Sequence, residues 1–204
     1  GMLAAAASPL SATEAMRLTG GWPRGIQAVV QLDDRNPRRL DLLEDAIESS
    51  VLTDLSLDER QFLQRVSALD SLDLDTATAL LGEGAQGLWD GIEQRSLPLV
   101  SFADGQLSFR RPLRSYLRSE LARHEPGANE RLRAAYVEHL LANGRVIEAI
   151  DWYLAQGSLQ TAMRLITTHV AEVDITTLEP AYDGWAKALG EDVLFADNAT
   201  AGLV

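Results

Sequence analysis

Leu97-Pro-Leu-Val-Ser-Phe-Ala-Asp-Gly-Gln-Leu-Ser-Phe-Arg-Arg-Pro-Leu-Arg-Ser-Tyr-Leu117 is the clearest β-hairpin signal in a chain whose pattern is otherwise helical. Leu99, Val100 and Phe102 lead into Asp104-Gly105, and Leu107 and Phe109 lead out. Asp-Gly between two apolar runs favours a tight primed turn, because both residues tolerate positive φ. Pro112 then suits the first turn of a new helix, where a missing N–H costs nothing. An apolar helix stands before the hairpin. Helices, one hairpin and a closing helix predict a winged helix. That fold alone does not imply DNA binding.

The 204 residues suffice for one large domain or two small ones, each with its own core. Apolar residues make up 46% and charged residues 24%, an ordinary globular balance. No apolar run approaches the ~20 residues that span a bilayer. Met2–Pro9 lacks the basic lead of a secretion signal, and Gly1 reads as the scar of a cleaved tag. The absence of cysteine excludes disulfides, thiol catalysis and thiolate metal sites, and it fits a cytoplasmic chain. A formal charge of −12 repels nucleic acid and membranes at long range.

Ser11-Ala-Thr-Glu14 is a capping-box pattern that opens a short helix, ended by Gly20-Gly21. Trp22-Pro23 restarts a helix, and Pro37 breaks the pattern near Asn36. Leu40, Leu43, Ala46, Ile47 and Val51 recur at helical spacing through Arg39–Leu52. A second capping box, Ser56-Leu-Asp-Glu59, opens the next helix. Short helices follow from Asp75 or Thr76 to Gly82 and from about Ala85 to Arg95, before the hairpin and a helix from Pro112 to His124.

Glu125-Pro126-Gly127 marks a boundary. Beyond it, Gly144-Arg-Val-Ile-Glu-Ala149 is echoed by Gly157-Ser-Leu-Gln-Thr-Ala162, with Gly ending one helix and Ala letting the next pack closely. This is the grammar of tetratricopeptide-like antiparallel helical hairpins. Helices are expected at Asn129–Ala142, Val146–Ala155 and Leu159–His169, with a fourth at Thr176–Leu189. The weakly patterned tail from Glu191 leaves the array without a cap.

Gly82-Glu-Gly-Ala-Gln-Gly87 matches the dinucleotide fingerprint in letters only. That loop needs a strand before it, whereas a helix over Thr76–Leu81 comes first. Asp70, Asp73 and Asp75 lack calcium-loop spacing and read as caps and solvated loop. His124, His139 and His169 are too far apart for a metal site. No nucleophile elbow, Walker lysine or acid–base pair appears, so no catalytic residue is assigned and the chain is not expected to be an enzyme. Trp89, Trp152 and Trp185 occupy helical apolar positions and are expected in the core.

Arg95, Arg110, Arg111, Arg114, Arg118 and Arg123 are opposed between 95 and 123 only by Asp104 and Glu120, a local charge of +4. Arg110, Arg114 and Arg118 fall on one helix face by their spacing. They suit phosphate contact or docking between domains. The helix before the wing, which enters the groove in DNA-reading winged helices, presents Gln86, Asp90, Glu93 and Gln94. Two carboxylates towards phosphates disfavour that role.

Taken in order, Thr19-Gly-Gly-Trp-Pro23, Leu55-Ser-Leu-Asp-Glu-Arg-Gln-Phe-Leu63, Phe109-Arg-Arg-Pro-Leu-Arg-Ser-Tyr-Leu117 and Gly144–Ile166 resemble the MalT-like large LuxR-family bacterial transcriptional regulators, STAND-class ATPases. The resemblance covers about Pro9–His169. It implies a middle slice: 1–52 a helical lid remnant of the ATPase module, 53–125 a winged-helix domain, and 126–204 a helical-repeat segment.

It further implies that Trp22, Pro23 and Arg111 lie near the nucleotide in the whole regulator, with Arg111 standing where a nucleotide-sensing His is common. ATP or ADP would be bound only with the missing ATPase core. The implied partners are the ATPase and DNA-binding domains of the same polypeptide, with an inducer or inhibitory protein on the repeats. The expectation is a mainly helical, cytoplasmic regulatory region that transmits effector or nucleotide state by domain contacts. The alternative is a stand-alone winged-helix DNA-binding protein or adaptor.

Overall fold

The computed structural model describes residues 11–30 and 39–169, together with Ala181, Gly184, Trp185 and Ala188. Among these residues the chain is mainly helical with one small sheet. Two compact units divide at Ala134/Ala135.

The first unit opens with α1 (Ala12–Thr19), α2 (Pro23–Val30) and α3 (Arg39–Ile47). Ser11 caps α1 by accepting the Glu14 N–H at 3.2 Å, while the Glu14 carboxylate takes Arg17. One apolar periodicity carries α3 on to Leu52 in the sequence. In the structure its last stretch, Glu48–Leu52, is a π turn.

The winged helix then follows as α4 (Leu57–Val66), β1 (Ser71–Asp73), α5 (Leu74–Leu81), α6 (Ala85–Arg95), β2 (Val100–Ala103), β3 (Gln106–Phe109) and α7 (Arg111–His124). The expected capping box forms in full: Ser56 Oγ accepts the Glu59 N–H, and Glu59 accepts the Ser56 N–H at 2.7 Å. Asp73 caps α5 through the Thr76 N–H at 2.7 Å. The hairpin closes where the sequence places it, with Asp104 at φ 52° and Gly105 at φ 73°, the two positive values a primed turn requires.

The sheet has three strands in the order β1-β3-β2, not the hairpin alone. The added strand pairs Leu72 with Leu107, both buried. Leu99 enters β2 at φ 68°, held there by the Arg110 N–H donating to its carbonyl at 2.8 Å.

The core of this unit gathers the inner faces of α4 (Phe62, Leu63), α6 (Trp89, Ile92) and α7 (Leu113, Leu117) around the buried side of the sheet. Helix α4 packs on both α6 and α7, and α5 packs on α6. The Trp89 and Phe102 rings meet edge-to-face at 5.4 Å, seating the wing on α6.

Helix α8 (Ala128–Ala142) starts in the first unit and ends in the second. In the second unit α9 (Val146–Ala155) packs against α10 (Leu159–His169). The repeated Gly-to-Ala motif performs the same task twice. The Arg145 N–H reaches back to Leu140 O and the Ser158 N–H to Tyr153 O, both at 2.9 Å, closing each helix beyond its last turn. Ala149 and Ala162 are completely buried in the core of this unit. Trp185 is also buried, with its indole N–H on Asp151, whereas Trp152 is only half-buried. The expected helix at 176–189 lies outside the described residues, apart from the four isolated positions.

Candidate functional site

Two segments far apart in sequence, Thr19–Pro23 and Arg110–Pro112, come together in the first unit. Thr19 is buried and donates its hydroxyl to Ala15 O at 2.7 Å, tightening the end of α1. Gly20 caps that helix, and its carbonyl accepts a hydrogen bond from Arg110 Nη1 at 2.9 Å. A Cβ on Gly20 would stand 3.4 Å from the Pro112 ring, so the α1–α2 turn sits directly on the start of α7.

Trp22 is buried beneath α2. A Cβ on Gly25 would fall 2.6 Å from its ring and 3.2 Å from Leu43, so only glycine lets α2 approach. Pro23 is exposed at the start of α2.

Between α1, α3 and α7 runs a groove of about 280 Å³. Its floor is apolar (Leu18, Leu43, Ile47, Pro112) and its polar groups are Arg17, Glu44, Arg111, Ser115, Tyr116 and Ser119. Arg111 stands exposed at the first position of α7. Thus Arg111 lines the groove, whereas Trp22 and Pro23 belong to the supporting turn beside it.

The other cations of α7 face the protein's own backbone and carboxylates. Arg114 reaches Asp70 at 2.6 Å. Arg118 donates to Ser67 O at 2.5 Å, Ala68 O at 3.0 Å and Asp70 at 3.2 Å, clamping the connection from α4 into β1. Arg133 adds a third guanidinium at 3.1 Å from Ala68 O. Burial, with Arg133 and Arg114 close by, lowers the Arg118 pKa from its ordinary value. Arg95 pairs with Glu59 at 3.0 Å, and Arg123 with Glu120.

Asp70, read in the sequence as solvated loop, is therefore the acceptor on which Arg114 and Arg118 converge. Nothing local marks it, since its partners lie 44 and 48 residues away.

Two further groups escaped the sequence. The Tyr116 hydroxyl, on the wall of the groove, donates to Glu48 Oε1. Arg60 Nη1 holds the other carboxylate oxygen at 2.9 Å, and its Nη2 donates to Leu52 O at 2.7 Å. Burial and the Glu48 carboxylate push the Tyr116 phenol well above its ordinary range. Helix α6 presents Gln86, Asp90, Glu93 and Gln94 to solvent, with Gln86 donating to Asp90 at 2.8 Å.

The strand order, the Asp-Gly wing and the helix that follows it agree with a comparison against known families, in which residues 48–129 match the model described as the MalT winged helix domain. Residues 48–129 are thus similar to the MalT winged helix domain. The match opens on Glu48, the first residue of the π turn, and closes just inside α8. The likeness is confined to this domain, 82 of the 204 residues. No curated protein matches the chain.

Among the described residues no group of three His, Asp or Glu side chains is placed to hold a metal ion. None of their helices is long and apolar enough to cross a membrane.

Proposed function

We propose that this chain is the regulatory middle of an ATP-dependent LuxR/MalT-like regulator of the STAND class, acting in the bacterial cytoplasm. Helices α1–α3 are the remnant of the ATPase lid. The winged helix relays the state of the nucleotide, and the tetratricopeptide-like repeats take an inducer or inhibitory protein. The observation that carries this reading is the meeting of the Gly20–Pro23 turn with Arg110–Pro112 beside a groove that ends in an exposed guanidinium.

The donor set suits one end of ATP or ADP. Arg111 offers a planar fork matched to phosphate. Ser115 and Ser119 add hydroxyls one helical turn apart along the same wall. At about 280 Å³ the groove is slightly small for a whole ligand, for which sites of ~300–1,000 Å³ are usual. It fits part of a nucleotide whose remainder is held by an ATPase core. The bound nucleotide supplies the negative charge that Arg111 answers. The residues of this chain bind and orient that charge, and none is assigned a part in hydrolysis.

The stand-alone DNA-binding reading is weaker. Its phosphate contacts would come from Arg110, Arg114 and Arg118, all of which already hold groups of the domain itself.

The test is nucleotide affinity of the whole regulator. Arg111→Ala should weaken ADP binding about tenfold or more, the usual worth of a charge-assisted hydrogen bond. Arg123→Ala, which removes a cation paired at the other end of α7, should leave it within about twofold. Equal affinity for wild type and Arg111→Ala would overturn the assignment.

A further inference from the structure

The junction of α3 with the winged helix contains an uncommon backbone form with an external support. A π turn is rare in proteins, and single turns of it are frequent at functional sites. Here Glu48–Leu52 is such a turn, and the Ser50 hydroxyl within it is buried without a hydrogen-bond partner. A serine in an ordinary α-helix can donate to the carbonyl four residues back. Its neighbour Ser49 does bond back, to Ala46 O at 3.4 Å, so within the turn only Ser50 leaves its hydroxyl unmet.

The holding groups are few. Tyr116 and Arg60 grip the Glu48 carboxylate from α7 and α4. Arg60 also grips the carbonyl of Leu52, so one guanidinium secures both ends of the turn. The Thr53 hydroxyl closes the same turn on Glu48 O at 2.9 Å. Tyr116 also lines the groove that carries Arg111, and Ile47, immediately before the turn, lines it too.

We propose that Glu48–Leu52 is a two-register switch, kept in its π form by the Tyr116–Glu48–Arg60 contact and released to α geometry when a group entering the groove displaces Tyr116. Removing the extra residue of a π turn advances the helix by one position. Release would pass that residue into the Thr53–Ser56 connection and turn Val51 and Leu52 about the helix axis relative to α3. The identity of the displacing group rests on the reading of the groove given above, whereas the switch itself belongs to this chain alone.

The test is made on the whole chain by NMR relaxation dispersion and amide hydrogen exchange, with no nucleotide present. Tyr116→Phe keeps the ring and removes only the hydroxyl. It should bring microsecond-to-millisecond exchange to the amides of residues 48–55 and speed their hydrogen exchange about tenfold, leaving Leu117 and Leu121 within about twofold. Glu48→Gln should give the same second set of signals.

Deletion of Ser50 should convert that minor set into the major one. If the deletion does not fold, the two point variants carry the test. Loss of protection spread evenly over α3, α4 and α7 would show a merely structural bond and overturn the switch. Unchanged exchange at residues 48–55 in both variants would overturn it equally.

Because this readout needs no nucleotide, it can fail while the Arg111 assignment stands, and the reverse.

Discussion

Helices α6 and α7 lie on the same small sheet domain and use charge in opposite ways. The outer face of α6 is acidic and solvated: Asp90 and Glu93 are exposed, with Gln86 as the partner that Asp90 finds. Helix α7 carries cations on three successive turns, and two of them turn back into the protein. Arg114 and Arg118 are only 28% and 25% exposed, held by Asp70 and by the Ser67 and Ala68 carbonyls. A basic stripe in a winged helix therefore need not be a nucleic-acid surface. Here it fixes the strand that completes the sheet, while Arg111 beside it stays exposed at the groove.

The largest effects should fall on what the two helices share, their inner faces. Ile92→Ala on α6 and Leu117→Ala on α7 each remove a side chain with no exposure, and each should cost about 2–5 kcal/mol in urea unfolding. The outer faces should then separate the helices. Arg118→Met deletes the donor for two backbone carbonyls and Asp70, and should cost about 2–3 kcal/mol. Glu93→Ala on α6 should stay within about 0.5 kcal/mol. Similar costs for these two would break the contrast.

The pH dependence should be the smallest effect and should differ in sign. Glu59 caps α4 and receives Arg95 from α6, and its pKa lies below the ordinary carboxylate value, chiefly through the Ser56 N–H. Its contribution is present above the unfolded carboxylate pKa of about 4.3 and is lost as pH falls through the lower folded value. Tyr116 on α7 is raised by burial, then by Glu48, with Glu120 and Glu44 adding to it. Its contribution is whole below the unfolded phenol value of about 10 and declines as pH rises beyond it. Unfolding midpoints across pH should show the acid-side loss vanish in Glu59→Gln and the alkaline-side loss vanish in Tyr116→Phe.

How much of this was legible follows the range of each interaction. The wing was readable because Asp104-Gly105 and the alternation around it are local, and so were the Ser56–Glu59 box and the Gly144 and Gly157 helix ends. Strand β1 was not, since Ser71-Leu-Asp73 offers one buried side chain and its partner Leu107 lies 35 residues on. The π turn was hidden because five residues cannot distinguish its periodicity from that of α3, although Val51 and Leu52, both buried side by side, are the trace it leaves.

Of the site, the spacing of Arg110, Arg114 and Arg118 gave the shared face but not the partners, which come from Gly20, Asp70 and the Ser67 and Ala68 carbonyls. The Tyr116–Glu48 bond joins positions 68 apart, and neither residue type signals it.

The contrast between α6 and α7 is tested most directly by fluorescence titration of the purified chain with random-sequence duplex at low salt. No binding is expected at ~10⁻⁵ M duplex, because Arg114 and Arg118 of α7 are engaged within the domain and α6 presents carboxylates. Binding at that concentration, steeply weakened by salt and lost on Arg110→Ala or Arg114→Ala, would contradict it.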